Sequence, residues 1–124
     1  MARARILIAE DEPNIVESLS YILQRANFDV ESTTNGTDAL DRLRRSSFSA
    51  LILDLMMPGM NGFDVLRAVR ADRKLATLPV IVLTAKGQAR DRKVAEEGGA
   101  SAFITKPFSN AEVVEEVRRL TGDV

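Results

Sequence analysis

The chain has 124 residues, of which 45% are hydrophobic and 28% are charged. That length fits one domain, and that composition supplies enough apolar side chains for a folded core. The 17 lysines and arginines are balanced by 18 aspartates and glutamates, so no general positive charge attracts nucleic acid or an anionic membrane. Cysteine and histidine are absent, which excludes disulfides, thiolate chemistry and histidine catalysis. Chemistry must therefore depend on carboxylates, hydroxyls and lysines.

The amino-terminal segment MARARILIAE has two arginines but only a short apolar run. Such a run is too short for a membrane span, and its flanks are unlike those of a signal peptide. We therefore expect a soluble, cytoplasmic protein that makes no direct contact with nucleic acid or with a membrane.

Five short runs rich in isoleucine, valine and leucine alternate with segments of helical period. The predicted strands are residues 4–9, 28–33, 50–55, 79–84 and 102–105. This alternation is typical of a parallel sheet with helices on both faces. The first, third and fourth runs are the most continuously apolar, whereas the second and fifth suit more peripheral positions. The sequence predicts an α/β fold, a single-domain doubly wound (βα)5 sandwich with a central five-stranded parallel sheet.

The segments between these strands predict five helices. Pro13 suits the first turn of a helix whose apolar stripe is Ile15, Leu19, Ile22, Leu23 and Ala26. A second helix follows the NG turn at residues 35–36, a third follows Gly62, and a capping box at residues 109–112 begins the last. Residues 87–99 contain one valine and a few alanines, so a helix there would be weakly anchored and mobile.

Charged and hydroxyl side chains stand at the carboxyl ends of the predicted strands, where open parallel sheets bind their ligands. Glu10 and Asp11 follow the first strand, Asp54 lies near the end of the third, Thr84 ends the fourth and Lys106 follows the fifth. Three carboxylates in one pocket either raise their pKa values or bind a cation, and all-oxygen ligands favour Mg²⁺. With a lysine opposite, such a site could bind a phosphoryl group, which a carboxylate can accept as nucleophile.

Four segments at these strand ends carry a resemblance to a known family. They are AEDE (9–12), LILDLMMPGMNG (51–62), VLTA (82–85) and ITKPF (104–108). In this order and spacing they resemble the receiver domain of bacterial response regulators, over essentially the whole chain. The resemblance implies the flavodoxin-like strand order 2-1-3-4-5.

The resemblance also implies a role for each site residue. Asp54 would be the phospho-acceptor, and Lys106 would contact the phosphoryl group. Glu10 and Asp11 would bind Mg²⁺ together with Asp54 and the backbone carbonyl of Met56, and Mn²⁺ could substitute for it.

Further residues would respond to phosphorylation. Thr84 would swing towards the phosphoryl group, and Phe103 would be the switch aromatic that turns inward. The Lys106–Pro107 peptide bond would be cis. Lys86, with Met56, would flank the acyl phosphate and influence its lifetime.

The predicted function is therefore a signalling switch. A histidine kinase or phosphotransfer protein would phosphorylate Asp54, and the face formed by the fourth helix, fifth strand and fifth helix would change conformation. That face would signal to a downstream protein or a fused output domain, and activation could produce a homodimer. The chain would not be an enzyme, because it would catalyse only its own phosphorylation and dephosphorylation. Residues 1–124 are expected to form the receiver domain with no output domain, as a stand-alone protein or a piece of a longer one.

Three alternatives stay open. A receiver with a vestigial, unphosphorylated pocket could serve as a protein-binding scaffold. A phosphohydrolase with a strand-end aspartate nucleophile would want a second acid two residues later, where Met56 stands. Flavin or nucleotide binding on this architecture would want a glycine-rich phosphate loop after the first strand, and the sequence has none there.

Overall fold

The computed structural model describes residues 3–85 and 87–122, and within them five strands alternate with five helices. The strands are β1 (Arg5–Ala9), β2 (Asp29–Thr33), β3 (Ala50–Asp54), β4 (Val80–Ala85) and β5 (Ala102–Lys106). The helices are α1 (Pro13–Arg25), α2 (Gly36–Arg45), α3 (Gly62–Ala71), α4 (Ala89–Glu97) and α5 (Asn110–Thr121). Each strand lies within one residue of its predicted bounds.

The strands pair in parallel in the order β2-β1-β3-β4-β5, so the predicted fold class and strand order are confirmed. The continuously apolar strands β1, β3 and β4 are central, and β2 and β5 form the edges. Because successive side chains of a strand point to opposite faces, the sheet has an apolar layer on each side. Leu7, Leu51 and Val82 pack towards α2 and α3, while Ile8 and Ile52 pack towards α1 and α5.

Short polar side chains define the beginnings of three helices. The Asn35 side chain accepts a hydrogen bond from the Asp38 amide (2.8 Å), and Asn61 accepts one from the Asp64 amide (3.0 Å). Ser109 accepts one from the Glu112 amide (3.1 Å), as its place in the predicted capping box requires. These bonds satisfy amide groups that have no partner inside the helix.

The loop between β3 and α3 folds back tightly on the end of β3. The Gly62 amide donates to the carbonyl of Leu55 at 3.0 Å. A Cβ atom at Gly62 would lie 2.5 Å from the Asp54 carbonyl oxygen and 2.5 Å from the Leu55 Cα. Both are backbone atoms of the strand end, so only glycine allows this approach.

Replacing Gly62 with alanine should therefore destabilise the domain. We expect the free energy of unfolding to fall by about 1–3 kcal/mol, the usual cost of overpacking, as measured by urea denaturation. Gly98→Ala is the matched control, because a Cβ there would meet the flexible Leu66 side chain at 3.3 Å. Equal loss of stability in the two variants would contradict this explanation.

Helix α4 is held by few apolar contacts. Ala95 is its buried residue, and Val94 is about half exposed, which agrees with the predicted weak anchoring. The Lys106–Pro107 peptide bond beyond β5 is cis. Among the described residues, no helix has the length and apolar character needed to span a membrane.

Candidate functional site

Three carboxylates meet at the carboxyl ends of the two central strands β1 and β3. Glu10 and Asp11 follow β1, and Asp54 ends β3, one step beyond the paired residues Ala9 and Leu53. One oxygen from each carboxylate lies within 4.8 Å of the others. Glu10 and Asp54 are buried, whereas Asp11 is exposed to solvent. The predicted cluster is thus formed by the parallel register of neighbouring strands.

Lys106, from the edge strand β5, is the ammonium that faces these carboxylates. Its Nζ lies 2.9 Å from Glu10 Oε1 and 3.8 Å from Asp54 Oδ1. Apart from this ion pair, Glu10 Oε1 has no hydrogen-bond donor in the part of the chain that the structure describes. Since one ammonium faces three carboxylates, the site has an excess of negative charge.

Backbone amides orient the two buried carboxylates. The Glu12 amide donates to Glu10 Oε2 at 3.2 Å, and the Met56 amide donates to Asp54 Oδ1 at 3.3 Å. Among the described residues, no group donates a hydrogen bond to the other oxygen, Asp54 Oδ2, so that oxygen is left for another partner.

Burial and the neighbouring charges both change the pKa values of the site. Burial, followed by the neighbouring Asp54, raises the pKa of Glu10 to about 7, and the ion pair with Lys106 offsets only part of this rise. Burial alone would lower the pKa of Lys106, but the hydrogen bond to Glu10 and the charge of Asp54 outweigh it and raise that pKa. At neutral pH and without a cation, Glu10 is therefore about half protonated. A divalent cation would replace that proton.

The cluster opens into a cavity of about 300 Å³. Its lining includes every residue predicted to bind metal or phosphate: Glu10, Asp11, Asp54, Met56, Thr84 and Lys106. Thr84 is buried at the end of β4, and the Met56 side chain is exposed at the mouth. Carboxylates, a hydroxyl and an ammonium around such a space can hold a cation and a phosphoryl group together.

Two polar residues at the beginning of α4 also line this cavity and were not predicted from the sequence. Gln88 and Asp91 line it from the beginning of α4. A search for polar residues at the ends of strands does not find them, because they reach the cavity from a helix. Their only signal in the sequence is that they follow Thr84 by a few residues.

Two predicted residues lie elsewhere. Phe103 is on β5, partly buried against the apolar layer that includes Leu66, and is not part of the cavity lining. Lys86 lies outside the described residues.

Residues 6–118 match the family model of the response regulator receiver domain. The chain belongs to this family. The predicted family is thereby confirmed, and the chain is a receiver domain of a two-component system.

Receiver domains similar to this chain occur in response regulators and in histidine kinases. The chain is 40% identical over 116 residues to the DNA-binding response regulator MtrA of Mycolicibacterium smegmatis, an alignment covering 94% of this chain and 50% of MtrA. The signal receiver domain of a signal transduction histidine kinase from Syntrophus aciditrophicus has a TM-score of 0.90 at 36% identity, covering 98% of this chain and 92% of that chain. The receiver domain of sensor histidine kinase PA1611 from Pseudomonas aeruginosa PAO1 was solved with a magnesium ion in its active site cleft. Its TM-score is 0.91 at 27% identity, covering 98% of this chain and 99% of that chain.

The receiver chain spans about half the length of the curated relatives it matches. DNA binding in the name of MtrA describes the whole relative, and it conflicts with the expected lack of nucleic-acid contact only for full-length proteins of that kind. For residues 1–124, that lack and the absence of an output domain stay predictions.

Proposed function

We propose that this receiver domain accepts a phosphoryl group on Asp54 in a Mg²⁺-dependent reaction, and that phosphorylation switches its conformation. The observation that supports this most strongly is the buried Asp54, which shares one cavity with two further carboxylates and the ammonium of Lys106. The phosphoryl donor would be a histidine kinase or a phosphotransfer protein.

The donor set fits a hard divalent cation. Glu10, Asp11 and Asp54 offer carboxylate oxygens, and we propose the backbone carbonyl of Met56 as a further ligand. When bound, Mg²⁺ supplies positive charge that offsets the carboxylates and the phosphoryl oxygens. Mn²⁺, which also prefers oxygen ligands, would substitute for it.

Phosphoryl transfer then follows from the positions of the side chains. The free oxygen of Asp54 attacks phosphorus, the bond from phosphorus to the donor nitrogen breaks, and its electron pair returns to the donor imidazole. Lys106 stabilises the negative charge on the phosphoryl oxygens, and the Thr84 hydroxyl donates a hydrogen bond to one of them. Water later cleaves the acyl phosphate and restores the carboxylate.

The conformational change would extend from Thr84 and Phe103 to the face formed by α4, β5 and α5. We propose that this face contacts a downstream protein, a fused output domain or a second copy of the chain. The domain would catalyse only its own phosphorylation and dephosphorylation, and in that sense it is not an enzyme. A scaffold with a vestigial pocket is the alternative, although the retained acidic cluster favours the phosphorylated switch.

Incubation with acetyl phosphate tests the proposal directly. We expect the intact mass of the wild type to rise by one phosphoryl group in Mg²⁺ and to stay unchanged in EDTA. The isosteric variant Asp54→Asn should show no rise under either condition. A rise that persists in Asp54→Asn would contradict the site assignment, and no rise in the wild type would favour the scaffold.

A further inference from the structure

The carboxyl-terminal end of α4 is fixed to α3 by Arg70. Its Nε donates to the Gly99 carbonyl at 3.0 Å, one terminal nitrogen donates to the Leu78 carbonyl at 2.7 Å, and the other to Ser101 Oγ at 3.4 Å. Gly99 has a φ of +101°, and a Cβ there would lie 2.9 Å from Arg70 Nε. The backbone after α4 therefore packs directly on the Arg70 side chain and cannot shift without breaking these bonds.

The amino-terminal half of α4 is held much less firmly. Its N-cap residue, Gln88, makes no side-chain capping bond, and the buried Ala95 lies in the second half of the helix. This loose half carries Gln88 and Asp91, which line the cavity that contains Asp54. The helix is thus anchored at one end and weakly held at the end nearest the phosphorylation site.

One specific contact does join this loose half to the sheet. The guanidinium carbon of Arg92 lies 4.6 Å from the ring centroid of Phe103 on β5. That separation is within the range of a cation–π interaction. Arg92 itself is exposed, while Phe103 is partly buried against the apolar layer under α3. The contact therefore depends on both the position of α4 and the orientation of the aromatic ring.

We infer that Arg92 is a positioning residue, a latch that holds the amino-terminal half of α4 and the Phe103 ring in the unphosphorylated state. This inference rests on the proposed phosphorylation of Asp54. The added phosphoryl charge enters the cavity that Asp91 also lines and repels that carboxylate. Helix α4 then tilts about its anchored end near Gly99, the stack on Phe103 separates, and the ring is free to turn inward.

The latch couples two equilibria, so its effect is reciprocal. If phosphorylation favours the unlatched state, weakening the latch must favour phosphorylation at equilibrium. Asp54 in this inference also reacts from the unlatched state, so the rate rises with the fraction of molecules in that state. We expect Arg92→Gln to speed phosphorylation by acetyl phosphate about two- to fivefold, the factor that an exposed cation–π contact is worth. Removing a positive charge would by itself slow the reaction with acetyl phosphate, which is an anion. Loss of the latch and loss of the charge therefore predict opposite changes in the phosphorylation rate.

Arg90→Gln is the matched control. It removes the same charge from the exposed surface of the same helix, and among the described residues Arg90 lies over no aromatic ring. Its rate should be no higher than that of the wild type, because it loses the charge without losing the latch. A rate increase shared by both variants would overturn the latch.

A double-mutant cycle isolates the contact itself. Phe103→Leu keeps the apolar bulk but removes the ring, so adding Arg92→Gln to it should change the phosphorylation rate no further. An undiminished effect of Arg92→Gln in the leucine background would show that the ring is not its partner and would overturn the inference.

Amide hydrogen exchange on the unphosphorylated protein separates this inference from the proposed function. We expect Arg92→Gln to raise exchange at residues 89–93 about two- to fivefold and to leave residues 98–101, held by Arg70, unchanged. If the wild type accepts no phosphoryl group, the proposed function fails while this result still decides the latch. Unchanged exchange in α4 would overturn the latch even where phosphorylation is normal.

Discussion

Replacing Lys106 with glutamine is expected to slow phosphoryl transfer to Asp54 about 100-fold or more. The Lys106 ammonium lies 3.8 Å from Asp54 and is the cation that lines the cavity among the described residues. Glutamine keeps much of the length and polarity of the side chain but removes the charge that stabilises the phosphoryl oxygens as transfer proceeds. The rate can be measured as the rise of the phosphorylated mass after acetyl phosphate is added in saturating Mg²⁺.

Lys74→Gln provides the control for the Lys106 variant. Lys74 is exposed in the turn after α3, away from the cavity, so its loss should leave the rate unchanged. Circular dichroism should show that both variants remain folded. A change of less than about threefold in Lys106→Gln would contradict the role that we assign to Lys106, since a lost stabilising donor costs about 100-fold.

The stability of the metal-free protein should depend on pH through Glu10. In the metal-free protein the pKa of Glu10 is about 7, above its ordinary value of 4.5. Between these values the folded state holds a proton that the unfolded state has lost, so the stability contributed by this group falls as pH rises from 4.5 through 7. Glutamine resembles the protonated carboxyl and cannot ionise. We expect Glu10→Gln to exceed the wild type by about 3 kcal/mol at pH 8 and to match it near pH 4.5.

Urea denaturation in EDTA across this pH range measures the difference. Glu115→Gln, an exposed substitution on α5, should follow the wild type at every pH. Saturating Mg²⁺ should reduce or reverse the advantage of Glu10→Gln, because a cation that binds the folded wild type stabilises it. A difference between Glu10→Gln and wild type that does not vary with pH would contradict the assigned pKa.

The fold and the acidic cluster could be predicted because both depend on patterns that are local in sequence. Continuous apolar runs identify buried strands, and parallel pairing places their carboxyl ends at one edge. Glu10, Asp11 and Asp54 follow from those two rules, as does Lys106 at the end of the edge strand. The asparagine and serine caps likewise mark helix beginnings within a few residues of sequence.

The rest of the site could not be predicted, because it depends on how exposed elements sit against each other. Helix α4 has little apolar periodicity, so its sequence does not indicate which face meets the cavity or β5. The placement of Asp91 beside the acidic cluster and of Arg92 over Phe103 is visible only in the folded chain. The high pKa of Glu10 also depends on burial by distant segments.

At the acidic cavity, the arrangement that suits function lowers the stability of the metal-free domain. Burial and the neighbouring Asp54 raise the pKa of Glu10, and these same carboxylates are candidate ligands for a divalent cation. Helix α4 is loosely held where it lines their cavity. If a cation and a phosphoryl group bind there as we propose, the site gains stability, which is the property that a switch requires.

Chemical mapping can identify the phosphorylated residue of this domain. The wild type is treated with acetyl phosphate and Mg²⁺, reduced with borohydride, which converts an aspartyl phosphate to homoserine, and digested for peptide mass spectrometry. We predict homoserine at position 54 and unmodified aspartate at Asp11 and Asp91. Homoserine at another position, or at none while the protein is folded and binds Mg²⁺, would contradict phosphorylation at Asp54.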